Sequence, residues 1–129
     1  MKDTATLRAL RAEDAEPIAA AFAAQGWRKP AAQYLAYLRE QEAGDRDVLV
    51  AEVNGAFAGY VTIVWESDYL PFRAAGIPEI VDLNVLIKYR RQGIATALLD
   101  KAERRIGKRA PIAGIGVGMT GDYGAAQIL

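Results

Sequence analysis

A domain of the α/β or α+β class follows from three stretches of this 129-residue chain. Two strand-prone runs, Val48–Val53 and Ala58–Trp65, flank Asn54-Gly55, a dipeptide suited to the tight type I′ turn of a hairpin. A third apolar run, Glu79–Leu86, passes through a short basic loop into a helix opened by Gly93. Helical patterns also precede the hairpin. Helices then lie on both sides of a sheet that mixes hairpin and crossover connections.

Each element has its own signal. Thr4–Leu10 alternates weakly and reads as an edge strand. Ala15–Gln25 reads as a helix with Pro17 in its first turn, where proline is tolerated, and Gly26 as its stop. Pro30 starts a second helix, which places Tyr34, Leu35 and Leu38 on one face and ends at Gly44. Tyr60-Val61-Thr62-Ile63-Val64-Trp65 is strand-prone throughout. Glu66–Pro78 reads as a loop rich in Pro, Gly and aromatics. The helix from Gly93 to about Ile106 repeats Ile94, Leu98 and Ala102 at four-residue spacing. Ile112–Val117 reads as a strand, and Asp122–Leu129 as the first turns of a further helix.

Composition bounds the chemistry. The chain has 16 Lys+Arg and 16 Asp+Glu, so no general attraction to nucleic acid or to an anionic membrane is expected. It contains neither cysteine nor histidine. Disulfides, thiolate nucleophiles, Cys/His zinc sites and His-based triads are thereby removed, and no metal is expected. Met1–Leu10 has no apolar h-region, so no signal peptide is expected there. No run approaches the ~18 apolar residues of a membrane span. A cytoplasmic setting is consistent with these features.

The chemistry-bearing stretch is Glu79–Lys101. A strand ends in Arg90-Arg91-Gln92-Gly93-Ile94-Ala95-Thr96, where a helix begins. The first N–H groups of a helix have no internal partner, and the helix dipole adds positive character there. Gly93 and the small Ala95 let the backbone approach an anion closely. Arg90 and Arg91 add charge and directed donors. Such a cradle suits a multiply charged anion such as a pyrophosphate. Within Glu79–Lys101 neither the G-x-G-x-x-G nor the G-x-x-x-x-G-K-[ST] pattern is present.

Arg90–Ala95 fits [QR]-x-x-G-x-[GA], with Leu83 and Val85 before it and Ala97-Leu98-Leu99 after it. In these features the sequence resembles the GNAT superfamily of N-acetyltransferases over about residues 4–129. The resemblance implies a mostly antiparallel sheet flanked by helices and splayed between its fourth and fifth strands. It implies acetyl-CoA as cosubstrate, its pyrophosphate bound by Arg90, Arg91, Gln92, Gly93, Ile94, Ala95 and Thr96. The strand edge at Leu83, Asn84 and Val85 then pairs with the pantetheine arm.

Without His or Cys, direct attack of an amine on the bound thioester is the simplest route. It needs a base and oxyanion donors. Glu79 stands 14 residues before Gly93, the spacing at which the histone-acetylating branch of the superfamily carries its base. The plain alternative is an exposed strand start after Pro78. Asp82, three residues on, falls on the opposite face under strand alternation, as the base in place of Glu79 or as a buried carboxylate paired with an arginine. The family's acid tyrosine would be residue 130. Tyr123 is the only substitute before Leu129, and by the same pattern two further strands are missing.

Trp27, Trp65, Glu66, Tyr69 and Phe72 are candidates for an acceptor pocket, or simply for core and loop packing. The chain thus reads as one N-acetyltransferase domain over 1–129, C-terminally incomplete by the family's pattern. It would acetylate a primary amine, whether a small molecule, a peptide N-terminus or a lysine, in a ternary complex. The alternative is a non-catalytic CoA-binding or partner-binding module of the same fold. An unpaired edge on the fifth strand predicts a homodimer or low stability.

Overall fold

The computed structural model describes residues 5–116 and 126–128. Among them, six strands form one sheet in chain order: β1 (Ala5–Ala9), β2 (Arg46–Val53), β3 (Ala56–Val64), β4 (Glu79–Val85), β5 (Gly114–Gly116) and β6 (Ala126–Ile128). Neighbours pair antiparallel except β4 and β5, which run parallel. Helices α1 (Ala15–Ala24) and α2 (Ala31–Glu42) precede the β2–β3 hairpin. Helix α3 (Leu70–Ala75) lies between β3 and β4, and α4 (Ile94–Gly107) follows β4.

The pleat of β2 shows how the two layers arise. Val48 and Val50 pack with α1 and α2, through Ile18, Phe22 and Tyr34. Leu49, Ala51 and Val53 face the other way, toward Ile94, Leu98, Ala102 and Ile106 of α4. All four α4 residues are buried, the apolar stripe that their spacing predicts. Asn54 and Gly55 have φ of 53° and 80°, the left-handed pair that a type I′ hairpin needs. No helix among the described residues is long and apolar enough to cross a membrane.

Four expectations need correction. The Glu66–Pro78 loop contains α3, with proline in its first turn and Gly76 left-handed at its end. On α2, Tyr34 is buried, but Leu35 is exposed, because Tyr37 and Leu38 complete the inward face. Of the strand predicted over Ile112–Val117, Gly114–Gly116 form β5 and Ile112 lies outside it, exposed, while Val117 lies outside the described residues. Residues 126–128, expected in a helix, form β6 and pair with β5, Gly114 opposite Ile128. The β5 edge offers ladder partners that a lone helix of about eight residues lacks. The edge on which the homodimer expectation rested is therefore paired within the chain.

A charge cluster joins β1 to the turn before α1. The Arg8 guanidinium donates to both Asp14 oxygens at 2.7 Å and to Glu52 of β2 at 3.0 Å. Burial pushes the Asp14 carboxyl up. The bonds from Arg8 and from the Arg11 N–H outweigh that and hold it below the usual carboxylate range. A depressed folded-state pKa stabilises above the unfolded value and is lost as pH falls through the folded one. Asp14→Asn is expected to cost about 1–3 kcal/mol at neutral pH. The difference should begin to close as pH drops below about 4, where the unfolded carboxyl protonates, and vanish only below the lower folded-state value. Urea denaturation at neutral and acid pH reads this directly; a gap of equal size at both would contradict it.

Candidate active site

The site is organised by the parting of β4 and β5. Among the described residues they pair at Glu79–Gly114 and Ile80–Ile115, and β4 from Val81 onward has no ladder partner on that side. The seam is held by Phe72 of α3, whose ring lies where a Cβ on Gly114 would be, so only glycine fits there. The resemblance to the superfamily implies such a splay between the fourth and fifth strands.

Beyond β4, a one-turn 3-10 segment, Ile87–Tyr89, leads to Arg90, Arg91, Gln92 and Gly93. Gly93 caps α4 with φ 79°, and a Cβ there would meet nothing within 4 Å. The turn's demand is thus conformational, and the space beside it is open. The Ala97 N–H bonds to the Gly93 carbonyl at 3.0 Å, which begins the helical ladder. The N–H groups of Ile94, Ala95 and Thr96 precede that bond and have no partner from the helix itself. A small cavity of about 200 Å³ is lined here by Val85, Arg91, Gly93, Ala95 and Thr96 among others. These residues fit a pyrophosphate: donors converge, and no side chain blocks the backbone. Arg91 also has left-handed φ, 63°, a strained conformation for a non-glycine. Gln92 is exposed and reaches only the Lys88 carbonyl, at 3.5 Å.

A larger groove of about 660 Å³ continues from this cradle along β4. Leu83, Asn84, Val85, Arg90 and Ala95 form one wall, and Trp27, Arg28 and Lys29 of the α1–α2 loop form the other. Trp27 stacks on Phe22, with 5.8 Å between centroids, and lies under the Arg90 guanidinium at 5.5 Å. Arg90 Nε also donates to the Val85 carbonyl at 3.3 Å. The loop and the cradle are thereby tied across the groove.

Asp82 departs from its sequence reading. The β3–β4 register slips between Tyr60 and Thr62, whose partners are Asn84 and Val81. Asp82 and Leu83 together oppose Val61, and Asp82 has φ 56°. This bulge resets the alternation of the strand. Asp82 is therefore not on the face opposite Glu79, as simple pleating predicted; it joins Asn84 and Tyr60 on the α2 side. Nor is its partner an arginine. Tyr60 and Tyr37 hydroxyls donate to Oδ2 at 2.6 and 2.7 Å, and Gln33 at 3.3 Å. Asn84 donates to Oδ1 at 2.7 Å, and Lys29 Nζ stands 4.0 Å from it.

Burial, reinforced by the Asp82 charge, pushes the Tyr60 and Tyr37 hydroxyls far above the ordinary phenol range. Burial also raises Tyr34, which donates to Tyr60, to about 12. All three stay protonated as donors. Sequence reasoning missed Gln33, Tyr37 and the inward role of Tyr60, because only the bulge brings them to one carboxylate.

Glu79, half-buried at the closed end of the splay, has one partner among the described residues. Ser67 donates to its Oε1 at 2.5 Å, while the Tyr69 N–H donates to Ser67 Oγ at 3.0 Å. That second bond turns the buried hydroxyl proton toward Glu79. Glu79 and the pyrophosphate cradle stand at opposite ends of β4, about 20 Å apart along six strand steps.

The aromatic candidates do not converge. Trp27 lies in the groove, but Trp65 packs on the α4 side at the far end of β4, its N–H on Asp47 and its ring under Arg109. Phe72 holds the seam, Tyr69 stands edge-on to it at 4.9 Å, and Glu66 is exposed. The five therefore line no common pocket, and of them only Trp27 lines the groove beside β4. Arg104 and Arg105 are in the last turn of α4, far from its anion-facing start, and Arg105 pairs with Asp47 at 3.1 Å. Tyr123 lies outside the described residues.

This arrangement has known counterparts. The Acetyltransferase (GNAT) family model matches residues 8–118. No curated protein matches the chain by sequence. An N-acetyltransferase from Staphylococcus aureus Mu50 superposes with a TM-score of 0.69 at 18% identity, over 93% of this chain and 77% of that one. The PaiA N-acetyltransferase from Thermoplasma acidophilum, solved with coenzyme A, gives 0.62 at 16%, over 92% and 82%. The diaminobutyrate acetyltransferase EctA from Paenibacillus lautus, solved with L-2,4-diaminobutyric acid and coenzyme A, gives 0.65 at 19%, over 89% and 66%. These likenesses are of fold, whereas the family match covers most of the sequence: the chain belongs to the GNAT family of acetyltransferases, acyltransferases whose acetyl donor is acetyl-CoA.

Proposed function

We propose that the chain is a single N-acetyltransferase domain that moves the acetyl group of acetyl-CoA to a primary amine by direct attack in a ternary complex. The observation that carries this reading is the run of β4 beyond Ile80 that no described residue pairs on the β5 side, with Gly93 and the start of α4 at one end and Glu79 at the other. The cradle from Arg90 to Thr96 takes the pyrophosphate, and the edge at Leu83, Asn84 and Val85 takes the amides of the pantetheine arm.

Glu79 is the base. Ser67 occupies one of its oxygens, and no bond to Oε2 is present among the described residues. It removes one proton from the acceptor ammonium. The amine nitrogen then bonds to the thioester carbon, the C–S bond breaks, and the second amine proton passes to the leaving sulfur. Asp82 is a poor base because donors from Tyr37, Tyr60, Gln33 and Asn84 saturate it. Its role is to hold the bulge. Ser67 is buried with its proton committed to Glu79, which disfavours an acyl-serine route. The diaminobutyrate bound by one structural neighbour supports a small amine as acceptor.

Initial rates of thiol release, with acetyl-CoA and amine varied together, test the reading. Intersecting double-reciprocal lines are expected, and Ser67→Ala should keep that pattern. Parallel lines would establish a covalent acyl-enzyme and overturn direct attack.

A further inference from the structure

The groove beside β4 has a charge pattern that acetyl transfer by itself does not explain. Three cations line it, Arg28, Lys29 and Arg90, and no carboxylate does. They are not equivalent. Arg90 belongs to the cradle end, stacked on Trp27 and bonded to the Val85 carbonyl. Lys29 leans toward Asp82, 4.0 Å away, so the bulge carboxylate offsets much of its charge. Arg28 is exposed to the groove and makes no ion pair or hydrogen bond among the described residues. It comes from the α1–α2 loop, across the groove from the β4 edge.

We infer that this groove takes a primary amine carrying its own carboxylate, with Arg28 as the specificity-determining contact for that anion. The inference rests on the acetyl-transfer reading above. The physical argument is one of matching. A guanidinium facing a groove with no acidic partner attracts an anion and binds a planar carboxylate through two parallel N–H bonds. The ammonium end of the same molecule needs the opposite environment, which Glu79 supplies at the start of β4, outside the lining of the groove. A free guanidinium in the groove and a carboxylate beyond it suit a zwitterionic acceptor and disfavour a plain polyamine, which would place a cation against Arg28. The anion at Arg28 has one other source, the phosphates of CoA itself, and the two sources respond differently to substitution.

The test pairs L-lysine with 1,5-diaminopentane, and L-ornithine with 1,4-diaminobutane, so that each pair differs by the carboxylate alone. The native chain and Arg28→Gln are compared, with acetyl-CoA affinity measured by calorimetry. In the native chain the carboxylated member should be favoured in kcat/KM by about 10- to 100-fold, the worth of a charged hydrogen-bonded contact. Arg28→Gln should erase that preference through the acceptor KM and leave acetyl-CoA affinity unchanged. Weaker acetyl-CoA binding in the variant would reassign Arg28 to the CoA phosphates and overturn the inference. Equal rates for both members of each pair in the native chain would overturn it too. Transfer to none of the four amines, with acetyl-CoA still bound, would count instead against the acetyl-transfer reading on which it rests.

Discussion

Glu79→Gln lowers kcat by about 10²–10⁴-fold, the usual loss when a general base is removed, and leaves acetyl-CoA affinity unchanged. The structure makes this a clean substitution. Glu79 is at the start of β4, about six strand steps from Val85 at its other end, so the amide does not reach the proposed donor site. The Ser67 hydroxyl donates to Oε1 and can donate equally to an amide oxygen, so local packing is preserved. A kcat in Glu79→Gln equal to the native one would show that another group accepts the proton. Asp82 would then be next in line, despite the donors that surround it.

Gly93→Val abolishes acetyl-CoA binding under conditions where the native chain is saturated. Two effects add. Gly93 holds φ at 79°, and for a residue with a Cβ the left-handed region costs roughly 1–2 kcal/mol, more for a β-branched one. The side chain would also project into the open space before the helix, where nothing of the protein stands within 4 Å and where the anion must approach. The first effect alone predicts a loss near tenfold if the turn must be regained on binding. The second removes the approach of the N–H groups that make the site. Gly93→Ala separates them, since it carries most of the conformational cost and little of the bulk. Native affinity in the valine variant, measured by calorimetry, would remove the anion site from the start of α4.

Much of this architecture was legible one residue at a time. The Asn54-Gly55 turn, the four-residue stripe on α4 and the glycine that opens it are local devices, whose conformation follows from their own side chains or from the lack of one. Helix α3 was equally legible in principle. Pro71 in its first turn and Gly76 just past its end are the expected punctuation, but six residues among aromatics read as loop. The cradle for a pyrophosphate belongs to the same class, because a strand, a glycine and an amphipathic helix in sequence converge their N–H groups without help from distant chain.

The candidate site beyond that cradle was not legible, for a physical reason. Strand alternation has a period of two, and a single bulge inverts every facing after it. The left-handed Asp82 is such an inversion, and no neighbour in sequence announces it. It is sustained by donors from α2, β3 and β4, separated from it by up to 49 positions. The strand at 126–128 had the same obscurity, since a partner edge supplied by β5 outweighs weak local helix preference. Sequence by itself determined the β2–β3 hairpin, the buried stripe of α4 with the glycine that opens it, and the resemblance to the family. Tertiary structure decided which carboxylate on β4 is saturated by donors, Asp82, and which has a single side-chain partner among the described residues, Glu79. Those choices depend on hydrogen bonds and charges brought together only when the sheet closes between its helices.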